Sequence, residues 1–166
     1  MLTWVLPFSL LAQKDLRQTA EGNKAYQKKE MIEAEANYRE ALSYNGENPL
    51  PEYNLGTTLY RDEKMAEAVK RFKDAADNAT TKTAKHQAYH NLGNAFMNQK
   101  KYKEAVEAYK NALRNNPTDE ETRYNLALAK QKQDQNGGGG GGGEDNQQNP
   151  DQNQQNQPDK DKKEGN

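Results

Sequence analysis

Apolar and small residues recur along the chain in three units, and within each unit they follow the spacing of a helix. In the second half of each unit an alanine, an aromatic residue and another alanine stand at positions i, i+4 and i+7, which share one helical face. A polar turn and a stretch containing one glycine precede them. The shared positions, which are 34 and 37 residues apart, are Gly22, Gly56 and Gly93; Ala34, Ala68 and Ala105; Tyr38, Phe72 and Tyr109; and Ala41, Ala75 and Ala112.

Each unit is therefore predicted to form two helices joined by a short turn. The glycine and alanines let the two backbones approach closely, and the aromatic residue is expected to fill the space between one helix pair and the next. One pair cannot bury both of its faces, so the units must stack. The pattern predicts an all-α fold with units at 15–48, 49–82 and 86–119, and with a longer inter-unit loop in TTKTAK (80–85).

Both ends of the chain depart from this pattern. Residues 120–134 resemble the first helix of a further unit and have no second helix after them, which predicts a capping helix. No apolar residue follows Ala129, and seven glycines (137–143) lead into a run rich in Asn, Gln, Asp and Lys. This composition predicts a disordered tail over 135–166 that acts as a tether or spacer.

The first twelve residues, MLTWVLPFSLLA, are apolar but too short to cross a bilayer, which takes about 20 residues. They end in a small residue before a polar stretch, as in a secretory signal, and predict export with cleavage after Ala12. A basic leading segment is missing, so a truncated signal and an apolar first turn that packs on the domain both stay open. No membrane span is expected to remain after cleavage.

Charge and composition exclude several functions. The net charge of −1 offers no electrostatic attraction to nucleic acid, and the absence of cysteine removes disulfides and thiol chemistry. Charged residues such as Glu104, Glu107 and Lys110 follow solvent-facing helical spacing. Neither a catalytic constellation nor a cofactor motif is found, and the chain is interpreted as a non-enzyme without a cofactor.

His86 and His90 have the i, i+4 spacing of a helical zinc motif. That motif needs a glutamate beside the first histidine, where this chain has Gln87, and no third ligand is evident. Repeat register accounts for both positions. They are interpreted as ordinary exposed histidines and not as a metal site.

The period of 34 residues, the LG pair in the first helix and the A-x3-Y/F-x2-A pattern in the second resemble the tetratricopeptide repeat over about residues 15–134. Glu21, where the repeat usually has leucine, is a mild departure. The resemblance implies a right-handed superhelical arc whose first helices line a concave surface that binds a protein or peptide. The expected binding residues are Asn23, Tyr26, Tyr53, Asn54, Thr57, Tyr60, Arg61, His90, Asn91, Asn94, Tyr124 and Asn125.

Within that surface, Asn54, Asn91 and Asn125 share one repeat position. An amide both donates and accepts hydrogen bonds, so such a ladder could pair with the backbone of an extended peptide. The alternative is that these asparagines only cap helices or pack between repeats.

A narrower interpretation comes from EGNKAY (21–26), which resembles the start of the dicarboxylate clamp of chaperone-binding tetratricopeptide domains. Asn23 and Asn54 match two clamp positions, but the three cationic positions hold Thr19, Gln87 and Asn91. Without those charges a carboxylate pair has no charge-assisted partners, and the clamp is not predicted.

The order of an export signal, three repeats containing YNLG and RYNLALAK, and an Asn/Gln-rich tail resembles the BatC family of Bacteroides-type aerotolerance operons. That resemblance implies a periplasmic or inner-membrane-associated complex with von Willebrand factor A-type Bat proteins, and a role in oxidative stress tolerance. A generic exported protein of envelope assembly or secretion and a cytosolic adaptor stay open. The oligomeric state and the partner's binding motif are not predicted.

Overall fold

The structure, a computed structural model, describes residues 6–137, with side chains from residue 11 onward. Within this range the chain forms helices and no strand, which confirms the predicted all-α fold. Residues 1–5 of the predicted signal and residues 138–166 of the predicted tail lie outside the described residues, while the proposed cleavage site after Ala12 lies inside the first helix. The helices are α1 (Leu6–Gln27), α2 (Met31–Tyr44), α3 (Pro49–Arg61), α4 (Met65–Asn78), α5 (Lys82–Asn98), α6 (Tyr102–Asn115) and α7 (Glu120–Asn136).

The helices pack as three hairpins, α1–α2, α3–α4 and α5–α6, and α7 packs on α6. The second and third hairpins and the final helix α7 each begin at a side-chain cap. Asn48, Thr81 and Asp119 accept hydrogen bonds from backbone N–H groups of the first turn, at 3.0, 3.1 and 3.0 Å. These caps satisfy donors that a helix start leaves unpaired, and they fix where each unit begins.

Within each hairpin the turn has one geometry. Lys29, Glu63 and Lys100 occupy the same repeat position and have positive φ angles of 64°, 58° and 58°. In each turn the next residue donates its N–H to a carbonyl five residues back, as from Lys101 to Phe96 at 2.9 Å. This is the Schellman closure of a helix, formed here without the glycine that usually supplies it.

The predicted long loop before the third unit is wrong. Thr81 caps α5, and the helix begins at Lys82, so the additional residues extend the helix. As a result α5 has 17 residues where α3 has 13. The connection between α4 and α5 covers only residues 79–81.

The aromatic residues have a partner that the repeat pattern did not predict. Each ring packs over the glycine of its own hairpin. A Cβ built on Gly22 would lie 2.6 Å from Tyr38 Cε1, and one on Gly56 would lie 2.8 Å from Phe72 Cδ1. A Cβ on Gly93 would lie 2.6 Å from Tyr109 Cδ1. All three rings are about 1% exposed. The missing side chain of each glycine therefore leaves the space that the aromatic ring fills.

Glu21 is explained by its place at the end of the stack. Leu55 and Leu92, at the same repeat position, are buried where one hairpin packs on the next. Glu21 faces outward from the first hairpin, with its side chain 52% exposed beside Lys24. The first hairpin thus presents a charged end, where an apolar face would need a covering repeat.

None of the seven described helices has both the length and the apolar character needed to cross a bilayer.

Candidate functional site

The inner face of the stack is formed by α1, α3, α5 and α7, which lie side by side. Between α1 and α3 this face opens into a cup with a volume of about 360 Å³. Its walls are mostly apolar because three tyrosine rings supply them. The lining residues are Asn23, Tyr26, Gln27, Tyr38, Tyr53, Asn54 and Thr57.

One cation lies beside the cup. The guanidinium of Arg61, the last residue of α3, lies 4.7 Å from the ring centroid of Tyr26, a cation–π contact. Tyr53 forms the opposite wall and packs on Phe72 with ring centroids 5.9 Å apart. The cup is therefore held by rings that the hydrophobic core fixes in place.

Amide groups join the cup to the core and to the neighbouring hairpin. Asn23 Oδ1 accepts two hydrogen bonds of 2.8 Å, one from the Tyr38 hydroxyl and one from Asn54 Nδ2. Burial raises the pKa of Tyr38 to about 12, so its hydroxyl stays a donor at neutral pH. These contacts fix Asn23 and Asn54 before any ligand arrives.

The same arrangement recurs at the other end of the stack, where Asn94 Oδ1 accepts from Tyr109 and from Asn125 of α7. At the junction between the second and third hairpins the acceptor position holds Thr57 instead of asparagine. There Asn91 Nδ2 donates to the Tyr53 hydroxyl at 2.8 Å. Asn54 and Asn91 thus each bridge two hairpins, and Asn125 joins the cap helix to the third hairpin.

A second, smaller and more polar pocket of about 120 Å³ lies between α5 and the start of α7. His86 Nδ1 lies 3.1 Å from the Ala112 carbonyl oxygen and therefore donates to it, and His86 Nε2 lies 3.4 Å from Asp119 Oδ2. His90 Nδ1 lies 2.6 Å from Thr122 Oγ1. Because the Thr122 hydroxyl donates to Asp119, His90 must donate to Thr122.

The electrostatics of this pocket follow from these bonds. The Thr122 hydroxyl, more than any other group, holds the pKa of Asp119 below its ordinary value. Burial lowers the pKa of His90, although the nearby Glu121 and Asp119 carboxylates oppose that shift. At neutral pH the pocket therefore contains a neutral His90 beside two carboxylates.

Comparison with known proteins agrees with this geometry. A family model described as tetratricopeptide repeat matches residues 86–119. Among solved structures, the first TPR domain of Spaghetti (RPAP3), bound to the HSP90 peptide SRMEEVD, superposes with a TM-score of 0.67 at 25% identity, covering 72% of this chain and 93% of that one. The chain thus contains one segment that matches the tetratricopeptide repeat, and its described residues share the fold of tetratricopeptide-repeat domains.

Two further structures share its fold. The N-terminal domain of STI-1 from C. elegans is 22% identical with a TM-score of 0.66, covering 72% of this chain and 97% of that one. The Sgt2 TPR domain from Aspergillus fumigatus is 21% identical with a TM-score of 0.66, covering 82% and 91%. No curated protein sequence matches the chain.

The residues expected on the concave surface of the helical stack fall into three groups. Asn23, Tyr26, Tyr53, Asn54 and Thr57 line the cup, with Arg61 beside it. Tyr53, His90 and Asn91 line the second pocket, so Tyr53 separates the two. Tyr60 packs against the core, Asn94 and Asn125 bond to each other, and Tyr124 is 70% exposed on α7.

The interpretation of His86 and His90 as exposed residues is wrong. Their side chains are 13% and 14% exposed because the start of α7 covers them. Within residues 6–137, no group of three His, Cys, Asp or Glu side chains is arranged to hold a metal ion. In this repeat domain the two histidines join the cap helix to the third repeat.

Sequence reasoning missed the partners of these positions. Asp15, 3% exposed, occupies the same repeat position as His86 and accepts from Asn48 Nδ2 at 2.8 Å and from Asn45. In both repeats the first residue of the unit thus contacts the loop that follows the second helix. The sequence did contain a signal for these contacts. Asp15 and His86 share one repeat position, and the capping residues Asn48 and Asp119 share another.

Proposed function

We propose that this chain is a tetratricopeptide-repeat protein that acts as a non-enzymatic adaptor and holds a segment of a partner protein in its concave groove. One observation carries the proposal: the inner face contains a preformed cup of about 360 Å³ whose tyrosine and amide side chains are already fixed by the core. A preformed site reduces the ordering cost of binding. Nothing in the described part of the chain points to catalysis.

The kind of ligand follows from the fold together with the groove's residues. Domains with this fold bind peptides, as the RPAP3 domains do with the HSP90 peptide SRMEEVD and the HSP70 peptide SGPTIEEVD. In this chain the expected cationic clamp positions carry no positive charge. Thr19 is 3% exposed and donates to Asp15, and Asn91 donates to Tyr53. We therefore assign the groove to a protein segment other than a dicarboxylate tail.

Location and partner form the finer part of the proposal. The protein is exported, periplasmic or inner-membrane-associated, and acts with von Willebrand factor A-type Bat proteins in oxidative stress tolerance. The resemblance of the apolar start, repeats and tail to the BatC family supports this assignment. The rivals are a generic exported protein of envelope assembly or secretion and a cytosolic adaptor.

Two measurements separate these rivals. Mass spectrometry of the native N-terminus would give a chain beginning at Gln13 for the exported protein, whereas an intact Met1 would contradict cleavage. Identification of partners crosslinked in the native envelope addresses the rest. Secretion components without a von Willebrand-type protein would contradict the aerotolerance role.

Groove binding itself is tested with a photo-crosslinking residue at Gln27, which lines the cup and is exposed at the end of α1. The matched control places the same residue at Lys103, an exposed position on the outer helix α6. We expect a discrete crosslinked species from position 27 and none from position 103. Equal yields from both positions, or none from either, would contradict groove binding.

A further inference from the structure

We infer that the groove recognises an internal segment of its partner in which a large apolar side chain, aromatic by preference, enters the cup and an adjacent carboxylate pairs with Arg61. This inference rests on the proposed function and adds the chemistry of the ligand.

The cup has the size and lining for one large side chain. Its volume of about 360 Å³ lies at the lower end of the range for small-molecule pockets. Tyr26, Tyr38 and Tyr53 surround the space, and aromatic pairs gain energy beyond the area they bury when they stack offset or edge to face. An aromatic side chain of the partner would add such contacts on more than one side.

The amides at the edge of the cup suit an extended backbone on either side of that residue. Asn23 Oδ1 is fully occupied by Tyr38 and Asn54, but the side-chain Oδ1 of Asn54 and the exposed side-chain amide of Gln27 make no hydrogen bond within the described residues. The side-chain Oδ1 of Asn54 can accept from a peptide backbone, and the side-chain amide of Gln27 can both donate to it and accept from it, without reading the side chains of the peptide. The cup lining contains no ionised group, so nothing in it would compensate a buried charge.

Arg61 supplies the second element of recognition. No carboxylate within residues 6–137 lies at ion-pair distance from it, although Asp62 follows directly in sequence. Asp62 instead pairs with Lys64 at 2.7 Å, and Lys64 also reaches Glu35. Arg61 is therefore a cation held over the Tyr26 ring at the edge of the cup, and charge complementarity calls for an acidic residue beside the inserted side chain.

The groove suits a segment that is internal to its protein. A terminal carboxylate adds a second negative charge close to the first, and such a pair needs several cations. Position 19 holds a buried threonine, and Asn91 is already bonded. Arg61 alone meets a single carboxylate, and a free C-terminus is not required.

The test selects eleven-residue random peptides, displayed with their C-termini fused, on the full-length protein. We expect enrichment of an aromatic residue next to Asp or Glu. Enriched sequences are then made as fluorescein-labelled, C-terminally amidated peptides and titrated by anisotropy. Changing the aromatic residue to Ala, or the acid to Lys, should weaken binding about tenfold.

Protein variants supply the matched control. R61E and K103E change the net charge equally, but only Arg61 lies at the cup. We expect R61E to weaken the selected peptides about tenfold and K103E to leave them unchanged. Circular dichroism confirms that both variants are folded, and the milder R61Q should weaken the same peptides if R61E fails to fold.

The contrary outcomes are equally specific. The inference is overturned if no motif is enriched or if the enriched motif lacks an aromatic residue. It is also overturned if R61E and K103E weaken binding equally, or if the free-acid peptide binds more tightly than the amide. The proposed function is judged separately by the crosslink at position 27. A partner captured there together with no aromatic–acid preference would remove only the inferred chemistry.

Discussion

The hydroxyl of Tyr109 donates a 2.6 Å hydrogen bond to Asn94 Oδ1, and the same oxygen accepts from Asn125 in the cap helix. Tyr38 and Asn23 form the equivalent pair in the first repeat. In the second repeat these positions hold Phe72 and Thr57, so the hydroxyl and its asparagine acceptor are replaced together. Each tyrosine thus connects the interior of its hairpin to the next repeat.

Replacing one partner of the hydrogen bond between Tyr109 and Asn94 should lower the free energy of unfolding. Replacing both partners should lower it by less than the two single losses together. Tyr109→Phe leaves Asn94 without its buried donor and should lower the free energy of unfolding by about 1 kcal/mol. Adding Asn94→Thr recreates the pair of the second repeat, and the double variant should be more stable than the sum of the single losses predicts. Urea unfolding of the four proteins measures this coupling. Strictly additive losses would contradict the linkage.

The contact between Gly93 and Tyr109 predicts a second stability effect. A Cβ on Gly93 would lie 2.6 Å from Tyr109 Cδ1, and the ring is buried and bonded to Asn94, so it cannot move aside freely. Gly93→Ala should therefore lower the free energy of unfolding by about 1–3 kcal/mol despite the higher helix propensity of alanine. Thermal melts followed by circular dichroism would measure the loss.

Gly46→Ala is the matched control for that variant. Its new Cβ would lie 3.6 Å from the Leu42 carbonyl oxygen, an ordinary contact, in a loop. Because alanine restricts the unfolded chain, this variant should be neutral or more stable by up to about 1 kcal/mol. Similar losses in both variants would show that the ring contact is not the cause.

The repeat pattern was sufficient to predict which faces are buried. Ala34, Ala68 and Ala105 are all 0% exposed, as their shared register required. A buried face imposes the same residue size in every repeat, so it leaves a periodic record in one sequence. The insertion before the third repeat has no counterpart to compare with, but Thr81 followed by lysines and alanine is a recognisable helix start.

The function of the asparagine ladder could not be predicted in the same way. A residue that bridges two repeats and a residue that binds an extended peptide recur with the same period. Only coordinates show that Asn54 donates to Asn23 while Asn91 donates to Tyr53. The contacts of His86 with Asp119 are single events between residues distant in sequence and leave no periodic trace at all.

The left-handed turn residues predict a stabilising change. Lys100 has a φ of 58°, a conformation that costs a residue with a Cβ about 1–2 kcal/mol and costs glycine almost nothing. Lys100→Gly should raise the free energy of unfolding by about 0.5–1 kcal/mol after the greater freedom of glycine in the unfolded chain is deducted. Lys100→Ala retains the Cβ and should gain nothing, so equal stability of the two variants would contradict the explanation. Urea unfolding measures both.

His90 predicts how stability depends on pH. Burial holds its pKa in the folded protein below the ordinary value of about 6.5, so the unfolded chain binds its proton more readily. The free energy of unfolding should be highest above pH 6.5 and should fall as the pH drops through that value toward the lower folded pKa.

His90→Asn keeps a donor for Thr122 but does not titrate, and it should flatten the curve between pH 7.5 and about 5.5. Asp119, whose pKa is lowered, contributes stability that is lost only at more acidic pH, so it lies outside this window. Urea unfolding across the range measures both proteins, and parallel curves would show that His90 is not the titrating group.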